Sequence, residues 1–342
     1  MLTKQNWITS KKRKLCLTLL IFVVVFIIYE IYWTEGFENQ QVIIYMYSPQ
    51  PHNETLKYES SLCSPPYIPI EPPLNKNIHC PQKPIVTVEQ LGRLGNQIYE
   101  YINVWAIAKK TKHEPYVPSC LIQELGKIFK NLTIPPLSYL AYCTIEKYPV
   151  KVRANMIDHF NGSMLLPRYA QLPKYIAPLL SEVRQIFQFQ EHIVDESQRL
   201  LHNASKGVKN ITYVGVHVRR TDYEKHLMKK YKASMAKADF FLRQMDLLRN
   251  KYKPIMFVVV SDDPVWCERE LHGDDVVVMK TNSPEQDLAI MAACNHSIID
   301  YGTYGMWGAI LSGGDTFVYN LTNSYDAAFE MASFLPNWHI VT

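Results

Sequence analysis

Tyr213-Val214-Gly215-Val216-His217-Val218 runs without a break into Arg219-Arg220-Thr221-Asp222. The first six residues are rich in valine and include no Asp, Glu, Lys or Arg, so they read as a strand buried on both faces. The next four are polar and mark the carboxyl end of that strand. The pattern then repeats downstream. Asp239–Asn250 has the spacing of an amphipathic helix, and Ile255–Val260 is a second buried strand. Asp263-Pro264 supplies an N-cap and N1 for a short helix, and Val276–Met279 is the next strand. Ser283-Pro284-Glu285-Gln286 opens a helix to Cys294 with proline at N1 and a capping-box spacing. Ser297–Asp300 reads as strand, Tyr304–Leu311 as helix and Thr316–Tyr319 as strand. Such alternation predicts a doubly wound parallel sheet, whose ligands sit at the carboxyl ends of its strands. Three polar clusters fall at those ends: His217–Asp222, Ser261-Asp262-Asp263 and Tyr301-Gly302-Thr303.

A second α/β unit precedes this one. Ile85-Val86-Thr87-Val88 is a short strand, Gly92-Arg93-Leu94-Gly95-Asn96 a turn, and Gln97–Lys110 a helix with Ile98, Tyr101, Ile102, Trp105 and Ala108 at helical spacing. Asn96 suits the N-cap. The glycine turn either presents backbone N–H groups to a cleft or is a tight turn without a ligand. Residues 111–205 are patterned weakly, with helices expected at 174–187 and 190–203.

The chain has 342 residues, 47% hydrophobic and 20% charged, which excludes wholesale disorder, collagen and coiled coil. Net charge is only +4, and much of the surplus lies in Lys11-Lys12-Arg13-Lys14, so nucleic acid is not an expected partner. Leu15–Ile28 follows that block without a charge, and with Tyr29, Tyr32 and Trp33 the apolar stretch reaches residue 33, broken by Glu30. At 1.5 Å per residue it spans about 28 Å, close to a bilayer core. Basic residues before it and Glu35 and Glu38 after it predict a cytoplasmic tail at 1–14, a transmembrane signal anchor at 15–33 and a lumenal remainder. A cleaved signal peptide is the alternative, but no small-x-small site follows the run. Seven N-x-S/T sequons, at Asn53, Asn131, Asn161, Asn203, Asn210, Asn295 and Asn320, fit N-glycosylation in a secretory compartment. Six of the seven cysteines lie beyond the span, allowing up to three disulfides in fifteen pairings. Prolines 49, 51, 65, 66, 69, 72, 73, 81 and 84 predict an extended stem within 34–84, stapled by Cys63 and Cys80.

The polar clusters suggest their chemistry. Arginine grips phosphate oxygens with a planar fork that never loses its charge. For Arg220 and Asp222 a structural ion pair is the plainer alternative; Arg219 has no such obvious partner. Gly302-Thr303 begins a helix and so offers a second anion site. Asp262 could accept N–H groups of a base, whereas Asp263 is better explained as a helix cap. The sequence contains no D-x-D, a carboxylate pattern that can hold divalent cations.

Gly92-Arg93-Leu94-Gly95-Asn96-Gln97, Val214–Tyr223, Asp287–Ile298 and Gly302–Ala309 together resemble the motifs of the galactoside α-1,2-fucosyltransferase family. Ser312-Gly313-Gly314-Asp315-Thr316 and Phe334-Leu335-Pro336-Asn337-Trp338 are similar to its C-terminal end. The resemblance covers about residues 85–338. It implies an α/β fold of the GT-B kind, with two facing Rossmann-like domains: an acceptor-side domain at 85–205 and a GDP-fucose-binding domain at 206–342. Anchor and stem resemble the layout of Golgi type II membrane glycosyltransferases.

The implied reaction takes L-fucose from GDP-β-L-fucose to a galactose 2-hydroxyl of a glycan, inverting to an α-1,2 linkage, with no cofactor and no metal. Similarity to α-1,6-fucosyltransferases that share His-Val-Arg-Arg-Thr-Asp implies His217 and Asp262 at guanine and Arg219, with Arg220, at the phosphates. Thr303 and Tyr304 would lie near phosphates or fucose. Those enzymes carry a Glu five positions after the motif's Asp; here that position is Leu227. The general base therefore stays open among Asp222, Glu100 and His226, and Asn96 is expected to position acceptor or fucose. A fucosyltransferase of altered acceptor or linkage, or an inactive lumenal glycan-binding relative, are the alternatives.

Overall fold

A computed structural model describes residues 52–72, 78–145, 147–281, 283–321 and 326–342. The expected tail and anchor lie outside the described residues. Among the described residues no helix is long and apolar enough to cross a membrane.

In chain order the principal elements are α1 (Asn53–Ser60), β1 (Ile85–Thr87), α2 (Leu94–Thr111), β2 (Glu114–Pro115), α3 (Ser119–Gly126), β3 (Phe129–Lys130), β4 (Val150–Lys151), β5 (Met164–Leu165), α4 (Pro173–Ile176), α5 (Leu180–Ile186), β6 (Gln188–Phe189) and α6 (Glu191–Ala204). Then follow β7 (Thr212–Val218), α7 (Tyr223–Tyr231), α8 (Ala238–Lys251), β8 (Ile255–Ser261), α9 (Pro264–Glu270), β9 (Val276–Val278), α10 (Pro284–Ala293), β10 (His296–Ile299), α11 (Thr303–Ser312), β11 (Thr316–Tyr319), α12 (Ala327–Ala332) and β12 (Trp338–Val341).

Strands β7 to β12 form one sheet in the order β12-β11-β10-β7-β8-β9, parallel at every pairing. The chain winds outward from β7 through β8 to β9, then returns to the other side of β7 at β10. The strand order therefore reverses between β7 and β10, and a parallel sheet opens a crevice beyond its carboxyl ends at such a point. Arg219 leaves β7 and Asp300 leaves β10 at that reversal. A smaller parallel sheet, β2-β1-β5-β4, belongs to the earlier unit. Its strands are only two or three residues long, which is why alternation could not reveal most of them.

The two sheets share a helical seam. Gly95 on α2 lies against the start of α11, and a Cβ there would come within 2.7 Å of Thr303 Oγ1 and of the Tyr304 amide nitrogen. Only glycine permits that approach. Trp307 Nε1 donates to the Gly95 carbonyl at 2.8 Å, and Trp307 is fully buried between Tyr99 and Phe187. The amino ends of α2 and α11 are thereby locked together.

Several expectations need correction. Helix α2 begins at Leu94 and its N-cap position is Arg93, so Asn96 lies within the first turn. The helix expected at 174–187 is broken into α4, a 3₁₀ turn and α5, with Pro178 inside the turn. Ser283 caps the Gln286 N–H at 3.2 Å as expected, but the Gln286 amide turns away to Ser197 Oγ at 2.6 Å. Asp263 does cap α9, accepting from the Trp266 N–H at 3.1 Å.

The stem expectation changes most. Proline density was expected to prevent helix, yet α1 forms in the gap between Pro51 and Pro65. Cys63–Cys120 and Cys80–Cys143 are disulfide-bonded, while Cys267 and Cys294 are free and buried. Glu59 is fully buried and accepts from the Ser119 amide at 2.6 Å, the Ser119 hydroxyl at 2.8 Å and the Tyr67 hydroxyl. Over its described residues this stretch is therefore part of the folded body, not a bare spacer. Cross-links closing 57- and 63-residue separations each stabilise by about 4 kcal/mol on the chain-entropy account.

Candidate active site

A cavity of about 970 Å³ opens at the strand reversal. That is at the upper end of the range for small-ligand sites. Its wall combines Gly92–Asn96 from the first unit with His217, Arg219, Asp262 and Gly302–Tyr304 from the second.

His217, one residue before the end of β7, is almost fully buried, with Nδ1 at 3.1 Å from Asp300 Oδ1. Asp300 also accepts the Arg219 N–H at 2.6 Å and the Tyr301 N–H at 2.8 Å. An acceptor so placed assigns the proton to Nδ1 and leaves His217 Nε2 for the cavity. Gly305 lets the first turn of α11 pass directly over the ring: a Cβ there would sit 2.5 Å from His217 Nδ1. Asp300 was not singled out in the sequence, because a polar residue closing an apolar strand carries no mark of the bonds it will accept.

Arg219 is held at both ends. Tyr301 donates to its carbonyl at 2.9 Å. Its guanidinium contacts Asp222 Oδ1 at 2.7 Å and Asp262 Oδ2 at 3.3 Å. Asp262 also accepts from the Arg220 N–H at 2.8 Å and from the Thr221 hydroxyl at 2.6 Å, so it fixes the whole turn. Arg93, from the other unit, reaches Asp222 Oδ2 at 2.9 Å. Burial pushes the Asp222 carboxyl upward, but Arg219 and Arg93 outweigh it and hold the group below its ordinary value. Such a carboxylate is a weak base.

Arg220 behaves differently from expectation. Its guanidinium stacks on Trp266 at 3.9 Å, lies 3.7 Å from Asp263 and does not line the cavity. It buttresses α9, so neither the expected phosphate contact nor the alternative ion pair with Asp222 is made. Glu100 is also corrected. It is buried away from the cavity, where Oε1 accepts the Leu91 N–H at 3.0 Å and Oε2 has no partner among the described residues. Burial raises it to about 9, so at neutral pH it keeps its proton and holds the glycine turn.

Asn96 and Thr303 do line the cavity, and they bond to each other across the seam: Thr303 Oγ1 donates to Asn96 Oδ1 at 3.1 Å. The Tyr304 ring lies 5.4 Å from His217, and its hydroxyl donates to the Pro284 carbonyl. Gly302 takes a φ of +86° while its N–H donates to Asp326 at 3.0 Å. His226, on α7, is an exposed member of the rim, its ring tilted at 45° against Tyr223 with centroids 4.9 Å apart. Partial desolvation and then Lys230 lower its pKa.

Asp287 is one of the lining groups missed in the sequence, as are Tyr169, Gln171 and Asp326. It lies in the first turn of α10 and takes the Thr281 hydroxyl at 2.7 Å, and burial raises it to about 6. An acidic residue at a helix start is so commonly a dipole partner that nothing local marked it out.

Six of the seven sequon asparagines are exposed: Asn53, Asn131, Asn161, Asn203, Asn210 and Asn295. Asn320 is half-buried at the end of β11.

A family model described as Glycosyl transferase family 11 matches residues 67–342. Galactoside alpha-(1,2)-fucosyltransferase 2 of Hylobates lar is 31% identical over 290 residues, 80% of this chain and 84% of that protein. The protein of that name in Gorilla gorilla gorilla is 32% identical over 269 residues, 74% of this chain and 78% of its own. Among solved structures, the fucosyltransferase NodZ from Bradyrhizobium aligns with a TM-score of 0.44 at 10% identity, covering 66% of this chain and 93% of that one.

Proposed function

Since the chain belongs to glycosyl transferase family 11, we propose that it transfers L-fucose from GDP-β-L-fucose to the 2-hydroxyl of a galactose in a glycan, inverting to an α-1,2 linkage. The observation that carries this reading is the meeting of Arg219, His217 and the amino end of α11 in one large cavity at the strand reversal. As fucose departs, negative charge grows on the β-phosphate of GDP. A pre-aimed guanidinium and free helix N–H groups stabilise that charge without reorganising. Asp222 and Asp262 keep the guanidinium aimed before the donor arrives. The two units act as the facing domains of the GT-B arrangement, with the donor in the second.

The proposal includes no metal, consistent with the lack of a D-x-D. It places the enzyme on the Golgi membrane as a single-pass type II protein with this domain lumenal. Two disulfides and the exposed sequons suit an oxidising, glycosylating compartment. The test is GDP release by the full chain in detergent, with GDP-fucose and a panel of glycans. Terminal β-galactosides should be the substrates, the new linkage should be α-1,2, and EDTA should leave turnover unchanged. Binding of glycan without GDP release, or loss of activity with EDTA, would overturn the corresponding part of the reading.

The acceptor proton must leave late in the displacement. Of the three candidate bases, Glu100 is buried away from the cavity and Asp222 is held between two guanidiniums. His226 lines the rim and is neutral at pH 7, so we assign the base to it. The neutral ring is the active form. kcat/KM should therefore be flat above an inflection that lies below the ordinary histidine value of 6.5, and should fall as pH drops through it. His226→Gln should lower kcat by about 100-fold and erase the acid limb. Persistence of that limb in the variant would move the base elsewhere.

A further inference from the structure

Tyr169 is an exposed tyrosine on the cavity wall contributed by the first unit, and Gln171 lies beside it on the same wall. Its φ is +51°, a conformation that bulky side chains rarely adopt and that costs on the order of 1–3 kcal/mol. The residues on either side hold it there. Arg168 grips Glu89 at 2.6 Å, and Asn103 Nδ2 donates to the Ala170 carbonyl at 2.7 Å. The ring packs against the backbone of Gly92, where a Cβ would come within 3.1 Å of Tyr169 Cε1. The next residue, Arg93, bonds Asp222, whose other oxygen holds Arg219. A strained, pinned aromatic ring thus stands one residue from the contacts that fix the phosphate-binding guanidinium, open to solvent and unused by any donor-binding step.

We propose that Tyr169 and Gln171 are the acceptor subsite: the ring stacks on the apolar face of the acceptor galactose, and the amide bonds its hydroxyls. This rests on the galactoside-transfer reading above. Galactose carries its 4-hydroxyl axially, so its C3, C4 and C5 hydrogens form one apolar patch, which an aromatic face covers well. An aromatic wall with a few placed polar groups is the usual makeup of a small-ligand site. The backbone strain is then the cost of aiming the ring into the cavity.

The test uses the full chain in detergent with GDP-fucose and lactose. Tyr169→Gly relieves the strain, since glycine adopts positive φ freely. It should therefore keep or raise the melting temperature, while the KM for lactose rises tenfold or more and the KM for GDP-fucose changes less than twofold. Tyr169→Phe and Tyr169→Trp should keep the lactose KM within threefold of wild type. An unchanged lactose KM in Tyr169→Gly, or an equal rise in both KM values, would overturn the platform. Wild-type failure to fucosylate lactose or any other β-galactoside would instead remove the functional reading beneath it, a result visible before any variant is made.

Discussion

Arg219→Lys should lower kcat by a factor on the order of 100 or more, with a much smaller change in the KM for GDP-fucose. Lysine keeps the positive charge but replaces a planar fork with a point charge on a flexible stem. At position 219 the fork has two jobs. It must be held by Asp222 at 2.7 Å and Asp262 at 3.3 Å, and it must present remaining N–H groups to the phosphates. An ammonium cannot meet both geometries at once. The loss falls on the step in which charge develops, where one aimed donor is commonly worth about 10²–10³ in rate. Steady-state kinetics with saturating galactoside checks this. Near wild-type kcat would remove Arg219 from the transition state. Arg220→Lys serves as the control: its partner is the Trp266 face, so it should cost stability more than turnover.

Asp300→Ala should be nearly as damaging by another route. Its carboxylate is 1% exposed and serves His217 Nδ1, the Arg219 N–H and the Tyr301 N–H. Truncation leaves three donors without a partner, two of them backbone groups that cannot turn away. Each orphaned buried group costs about 1–3 kcal/mol, so a loss of about 3 kcal/mol or more is expected. At this chain length that lowers the melting temperature by about 5 °C. The same change frees the His217 ring to take the other tautomer and loosens the turn that aims Arg219, so GDP should no longer raise the melting temperature. Asp300→Asn keeps one acceptor oxygen, so its stability loss should be smaller while the GDP response is still weakened. A melting temperature and GDP response like wild type in Asp300→Ala would show that Asp300 organises neither group.

The large sheet was legible because its strands are long and apolar while their exits are polar. Tyr213–Val218 and Ile255–Val260 could be nothing but buried strand, and the clusters that follow them do border the cavity. The small sheet was not legible, since β2, β4 and β5 are two residues each. Helix α7 was missed because Tyr223–Tyr231 has four charged residues in nine and buries Leu227 alone. Within the site, Arg219 and His217 followed from their place at a strand end, whereas Asp287 and Asp300 did not.

The order of motifs in the chain determined the sheet, its reversal and the identity of the charged groups at its edge, because strand burial and helix capping are local properties of neighbouring residues. Which of those groups face one another was decided by packing. Arg219 and Arg220 are adjacent in sequence with the same chemistry, yet one lies in the cavity between two carboxylates and the other stacks on Trp266. Glu100 and His226 were equal as candidate bases until burial took one and exposed the other. A side chain's charge is written in its residue type, but its solvent and partners belong to whatever the fold brings against it, and here much of that comes from segments more than a hundred residues away.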